Sequence, residues 1–176
     1  METAGRIFIV AIVVLAADPD AVASACEELE TESGKAKTKW GRAQKDRRLD
    51  YLQRVFRLPE LRARLCYAVF PNTKDYEAAT IDAIARAIRH FGQEEYKAAI
   101  YIDALAKTKR RIYGARLHQS GIATYKVQGV AKDENNALVR LADAIAGFTR
   151  DALDDDSSEI NTLFQRVKAN GILIEV

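Results

Sequence analysis

The chain has 176 residues, of which 48% are hydrophobic and 30% are charged, a composition typical of one globular domain with a sizeable core. Its 27 Lys and Arg residues nearly balance its 25 Asp and Glu residues, so net charge neither requires nor excludes a nucleic-acid partner. The two cysteines, Cys26 and Cys66, lack a CxxC partner, which favours free thiols in a cytoplasmic protein and argues against a zinc site.

The first element is the apolar run "IFIVAIVVLAA" at 7–17. It is too short to span a bilayer, and with only Arg6 before it the run makes a poor signal peptide, so we expect no membrane partner. Its Ile and Val content and its end at "DPD" predict a strand at about 7–15 that is buried on both faces.

A helix and a basic loop follow the first strand. Asp20 is predicted to cap the helix, which ends near Gly34, and the basic loop then runs to residue 45. The next helix ends before Pro59, because the residue that precedes a proline is disfavoured in helical geometry. The alternating segment 61–70 predicts a strand with one wetter face.

Helices and strands then alternate along the second half of the chain. The predicted elements are a helix at about 74–91, a strand at 97–105, a helix at 106–119, a strand at 124–131, a helix at 136–153, a short helix after the polar break 154–159, and the terminal strand "ILIEV". Crossovers of this length are too long for hairpins, so the pattern predicts a single domain, 1–176, with a parallel sheet covered by helices.

Three carboxylates are candidates for chemistry at one edge of this sheet. Asp103 lies near the carboxyl end of one predicted strand, and Asp133 follows the next strand. Asp143 lies in the apolar helix that begins at the same edge, where open α/β sheets form their sites. Such a set suits Mg²⁺ or Mn²⁺ and the activation of water for phosphoryl transfer. Alternatively, Asp143 faces solvent or pairs with an arginine, and no function follows.

The segment "VRLADAIAG" at 139–147 is similar to the closing Gln-Leu-Ala-Asp-x-hydrophobic-Ala-Gly signature of the domain of unknown function 3800 family, a ribonuclease-H-like group. Arg140 stands where that signature usually has Gln. "METAG" followed by "RIFIVAIVVL" resembles the family's opening, in which a strand ends in Asp-Glu-Ser-Gly or a close variant. "SGKAKTKW" and "RRLDYLQRV" resemble its middle, so the resemblance covers most of the chain.

The resemblance implies an α/β fold of ribonuclease-H-like architecture, with a mixed, mostly parallel sheet flanked by helices. It also implies a divalent-metal-dependent nuclease or related phosphoryl-transfer enzyme acting on nucleic acid. Carried over residue by residue, the family's acidic set falls on Asp103, Asp133 (or Glu134) and Asp143, as catalytic residues and as ligands of Mg²⁺ or Mn²⁺.

The chain departs from the family pattern at its first aspartate. Met1 stands in that place or, if the segments are aligned on the glycine, Glu2 does, with one extra methylene. Glu2 is therefore a further candidate metal ligand, and we expect either residues upstream of Met1 or an incomplete site. An incomplete site favours the alternative of a non-catalytic ribonuclease-H-like module that binds a protein or nucleic acid. A missing strand would also leave a sheet edge that a second copy could cover as a homodimer.

Basic residues cluster on one predicted helix and around the single tryptophan. Lys107, Lys109, Arg110 and Arg111 supply the cations that phosphate contacts need, and the ring of Trp40 could stack on a base. These residues therefore predict a nucleic-acid surface. A solvated helix face and a mobile loop explain the same pattern equally well.

Overall fold

The computed structural model describes residues 6–92, 94–131 and 135–176. Within them the chain is an α/β protein whose elements follow the predicted order. The strands are β1 (Ile7–Val13), β2 (Leu65–Pro71), β3 (Ala98–Asp103), β4 (Thr124–Val130) and β5 (Leu173–Glu175). The α-helices are α1 (Pro19–Glu32), α2 (Lys45–Val55), α3 (Tyr76–His90), α4 (Arg110–Gln119), α5 (Ala137–Asp154) and α6 (Glu159–Ala169).

The strands form two sheets. One sheet has the order β1-β2-β5, in which β1 and β2 are antiparallel and β2 and β5 are parallel; the other is the parallel pair β3-β4. The strands are therefore mixed in direction, as predicted, and two of the three described strand pairs are parallel. Two helices, α1 and α2, lie between β1 and β2 in the chain. Within the described residues β1 and β3 share no ladder, so the predicted single sheet appears as two.

The sequence predicts that β1 is buried on both faces and that β2 has one wetter face, but in the structure β2 is the more buried strand. Most of β1 is only half-buried, although its apolar run predicts burial on both faces. In β2 the residues Leu65, Cys66, Tyr67 and Ala68 are all buried, and the strand begins at 65 rather than 61. The reason is position: β2 is the central strand of its sheet, whereas β1 pairs on one side only in the described chain.

Two clusters of apolar side chains form the core. The larger one lies between the three-stranded sheet and helices α1, α2, α5 and α6, and contains the edge-to-face pair Phe148 and Phe164, with ring centroids 5.8 Å apart. The smaller one contains Ile84 of α3, Ile100 of β3 and Leu117 of α4; here α4 packs on β4, whereas α3 packs on β1 and β2 and against α4. Ile100 and Val127, which lie on one face of the two-stranded sheet, belong to this cluster.

Helix α5 joins the sheet to the candidate site. Asn136 caps it, since its side-chain oxygen accepts the backbone N–H of Val139 at 3.0 Å. The helical spacing of Leu141, Ile145 and Phe148 in the sequence predicts that they form one buried stripe, and all three are buried. The helix contacts β1, β2 and β3. No helix of the described chain is long and apolar enough to cross a membrane.

Leu141→Ala should lower the free energy of unfolding by about 2–5 kcal/mol, because it leaves a cavity beneath α5 at a fully buried position. The matched control is Leu153→Ala on the same helix, where the side chain is 39% exposed and the loss should stay below about 1 kcal/mol. Urea denaturation followed by circular dichroism measures both values. Equal losses would contradict the packing described for α5.

Candidate functional site

Asp103 and Asp143 line one small crevice, which we call the carboxylate crevice. Asp103 is exposed at the end of β3, and Asp143 is half-buried on α5. The lining residues in the described part of the chain are Lys39, Asp103, Val130, Ala131, Asn136, Val139, Arg140 and Asp143. The structure thus brings together two of the acidic residues selected from the sequence. Asp133 and Glu2 lie outside the described residues.

A tight turn after β3 fixes the position of Asp103. Asp103 lies opposite Val130 of β4, and the backbone N–H of the next residue, Ala104, donates to the Val130 carbonyl at 2.7 Å. The chain then passes so close to β4 that a Cβ at Gly129 would lie 1.9 Å from the carbonyl oxygen of Leu105. Only glycine allows this approach, so the Asp103 turn depends on Gly129.

Asp143, which is half-buried, meets the loop after α1. The backbone N–H of Trp40 donates to Asp143 Oδ2 at 3.3 Å. The indole N–H of Trp40 donates to Asp151 Oδ2 at 2.8 Å, and its ring carbons lie where a Cβ of Gly147 would be, with Cδ1 2.3 Å away. Asp143 therefore has a structural partner, which uses one of its two carboxylate oxygens.

Arg140 lines the carboxylate crevice, but its guanidinium is paired with a carboxylate of α1. Its guanidinium forms a two-pronged pair with Glu30, with Nε–Oε1 and Nη2–Oε2 distances of 2.8 Å, and Nη1 donates to Asn135 Oδ1 at 2.8 Å. Glu30 is 1% exposed and also meets Lys35 Nζ at 3.4 Å. Burial lowers the pKa of Lys35, although Glu30 opposes this effect. Arg140 thus neutralises Glu30, and no ion pair to Asp143 is present among the described residues.

The two cysteines are buried away from the carboxylate crevice. Burial raises the pKa of Cys26 to about 12 and that of Cys66 to about 11, so both stay protonated near neutral pH. Both thiols are free and buried, and neither lines the crevice.

The predicted nucleic-acid residues lie in different settings. Trp40 is 4% exposed, with Arg48 4.9 Å from its ring centroid and Gly147 against its edge, so it has no free face for a base. Lys109 is paired with Glu77 at 2.9 Å. Lys107 and Arg111 are exposed, and Arg110 is half-buried at the start of α4.

Tyr101 and Lys126 are features that sequence reasoning missed. Tyr101 is 47% exposed on β3, two residues before Asp103, and Lys126 Nζ lies 5.3 Å from the centroid of its ring. The alternation of strand residues placed Tyr101 on the Asp103 face, and this was the available signal. Which face of the β3-β4 sheet stays exposed depends on where the helices pack, and the sequence of one strand does not show this.

The described residues supply only part of the ligand set that a metal ion needs. They contain no group of three or more His, Cys, Asp or Glu side chains arranged to hold a metal. Asp103 and Asp143 supply two carboxylates to the crevice, and the side-chain oxygen of Asn136 is used as the α5 cap. A further carboxylate would have to come from outside the described ranges, where Asp133 lies in sequence.

No protein-family model, no curated protein and no solved structure matches this chain. Its function is therefore inferred from its own residues.

Gly147→Ala should displace Trp40 and release the loop from α5. The added methyl group would overlap the indole, so we expect a loss of about 1–3 kcal/mol in the free energy of unfolding, together with a change in Trp40 fluorescence. Gly114→Ala is the matched control in α4, because its Cβ would meet only Val127 at 3.8 Å. The control should be neutral or stabilising. An unchanged emission spectrum in Gly147→Ala would contradict the described contact.

Proposed function

We propose that this protein is a divalent-metal-dependent nuclease, or a related phosphoryl-transfer enzyme acting on nucleic acid, built on a ribonuclease-H-like architecture. The observation that carries the proposal is the shared crevice of Asp103 and Asp143, which come from separate elements. Neither carboxylate forms an ion pair within the described part of the chain. Unneutralised carboxylates that meet at the carboxyl end of parallel strands are the arrangement that a hard cation requires.

The residues present fit Mg²⁺ or Mn²⁺ as part of a ligand set. Both ions prefer carboxylate oxygens, and Asp103 and Asp143 provide them from different directions. Asp133, and Glu2 less directly, are the proposed remaining ligands. When bound, such an ion would polarise a phosphodiester and lower the pKa of a water molecule.

The protein's own residues would perform the remaining tasks. The Trp40 N–H holds one oxygen of Asp143, so the carboxylate keeps its orientation without an incoming ligand. Asp103 is exposed and can be reached by a substrate. Lys39, which is exposed at the crevice, is positioned to attract a phosphate group. Lys107 and Arg111 extend the proposed contacts to the phosphate backbone.

The first test is a Mn²⁺ titration of the full chain by calorimetry and by quenching of Trp40, the single tryptophan. Asp103→Asn and Asp143→Asn should each weaken Mn²⁺ binding by about tenfold or more, because each removes a charged ligand. The amide introduced by Asp143→Asn would still offer an oxygen to the Trp40 N–H, so this substitution separates the metal role from the loop contact.

Asp154→Asn is the matched control for that titration. Asp154 is exposed at the end of α5, roughly 16 Å along the helix from Asp143, and its loss should leave Mn²⁺ affinity unchanged. The metal site is refuted if the parent binds no Mn²⁺, or if all three variants bind it as the parent does.

The second test is cleavage of labelled single-stranded and double-stranded RNA and DNA with Mg²⁺ or Mn²⁺. We expect cleavage that EDTA abolishes and that Asp103→Asn and Asp143→Asn reduce by about 100-fold or more, since loss of transition-state charge stabilisation has this magnitude. Asp154→Asn should cleave at the parental rate. Metal-independent cleavage would contradict the proposed mechanism.

A non-catalytic binding module is the second candidate. The Trp40–Asp143 hydrogen bond favours it, because it gives Asp143 a structural function that needs no metal. In this case Asp143→Ala would release the loop and lower stability, whereas Asp143→Asn would behave as the parent in both stability and Mn²⁺ binding. Binding of nucleic acid without cleavage would support this candidate over the enzyme.

A further inference from the structure

Within the described residues, one face of the β3-β4 sheet is covered only near Asp103, where α5 contacts β3. Residues of the opposite face, such as Ile100 and Val127, pack with α3 and α4. The open face, which we call the Tyr101 face, is formed by Ala99, Tyr101 and Asp103 of β3 and by Lys126 and Gln128 of β4, which the strand register places beside them. Ala99, Tyr101 and Lys126 are exposed.

The Tyr101 face runs directly into the carboxylate crevice. Tyr101 and Asp103 point to the same side of β3 and are separated by about 7 Å along the strand. Asp103 and its cross-strand neighbour Val130 both line the crevice. A ligand lying along β3 from Tyr101 would therefore reach the two aspartates.

Charge on this face suits a polyanion. Lys126 Nζ lies over the Tyr101 ring at 5.3 Å, and Lys126 forms no ion pair with any described residue. In contrast, Lys109 of the predicted basic cluster and Arg116 of α4 share Glu77, at 2.9 Å and 3.3 Å. Lys126 is thus available to a phosphate, whereas those two cations already have a carboxylate partner.

We propose that the Tyr101 face binds single-stranded nucleic acid. A base stacks on Tyr101, Lys126 contacts an adjoining phosphate, and the strand continues past Asp103 into the crevice. Stacking on an exposed ring requires an unpaired base, because a duplex hides the faces of its bases. The inference rests on the proposed nuclease function, which gives the reason for binding a single strand. Binding at Tyr101 itself needs no metal and can be tested without one.

The test is fluorescence anisotropy of a fluorescein-labelled 12-nucleotide oligothymidylate with the full chain in EDTA. Tyr101→Ala should weaken binding by about tenfold through the loss of one stacked base. Tyr101→Phe keeps the ring and should bind within about twofold of the parent. Tyr125→Ala is the matched control: this tyrosine is 67% exposed at the bulge of β4, outside the Tyr101 face, and its loss should change nothing.

A salt titration tests the phosphate contact. Lys126→Gln should reduce the slope of log affinity against log salt by about one, as expected for one lost phosphate contact. Replacement of the oligothymidylate by a blunt 12-base-pair duplex should abolish the difference between the parent and Tyr101→Ala.

Several results would overturn the inference: no binding of oligothymidylate by the parent, equal affinities for Tyr101→Ala and Tyr125→Ala, or Tyr101→Phe as weak as Tyr101→Ala. These outcomes are independent of the Mn²⁺ titration. If Mn²⁺ does not bind but Tyr101→Ala loses oligothymidylate affinity, the nuclease proposal fails and the Tyr101 face stands. If Mn²⁺ binds and Tyr101→Ala binds oligothymidylate as the parent does, the Tyr101 face is refuted and the metal site of the nuclease proposal stands.

Discussion

The packing of Trp40 on Gly147 is the contact on which the arrangement of the site depends. A side chain at 147 would overlap the indole, so the loop after α1 reaches α5 only because this position is glycine. The indole N–H then meets Asp151, and the backbone N–H meets Asp143. Through this one contact the loop covers the flank of α5, and the otherwise unusual carboxylate in an apolar helix gains a hydrogen-bond donor.

A buried ion network provides the second constraint on α5. Glu30 is surrounded by protein and is met by Arg140 and Lys35. A buried carboxylate is costly unless it is paired and hydrogen-bonded, so the network fixes the rotation of α5 against α1 more than it adds stability. Arg140 is suited to this position because its planar guanidinium contacts both oxygens of Glu30. The same pairing engages Arg140 with Glu30, and among the described residues Asp143 forms no ion pair.

These two constraints explain how one helix can serve both stability and a site. The stripe of α5 that contains Leu141 and Phe148 fills the larger core cluster. Its flank presents Asp143 to the crevice, where the end of β3 presents Asp103. The Tyr101 face continues from that crevice, so a proposed metal ligand and the proposed base-stacking residue lie along one strand.

The amino-acid sequence by itself determined the order of the elements, the buried stripe of α5 and the positions of Asp103 and Asp143 at one sheet edge, because hydrophobic periodicity and strand ends are local properties. It misassigned β1 as the more buried strand, since burial depends on which strands become neighbours. It selected Trp40 for stacking, but the tertiary structure buries this ring against Gly147 and leaves Tyr101 exposed instead. Only the packed chain decides such matters, because the exposure of a side chain depends on contacts with residues far away in the sequence.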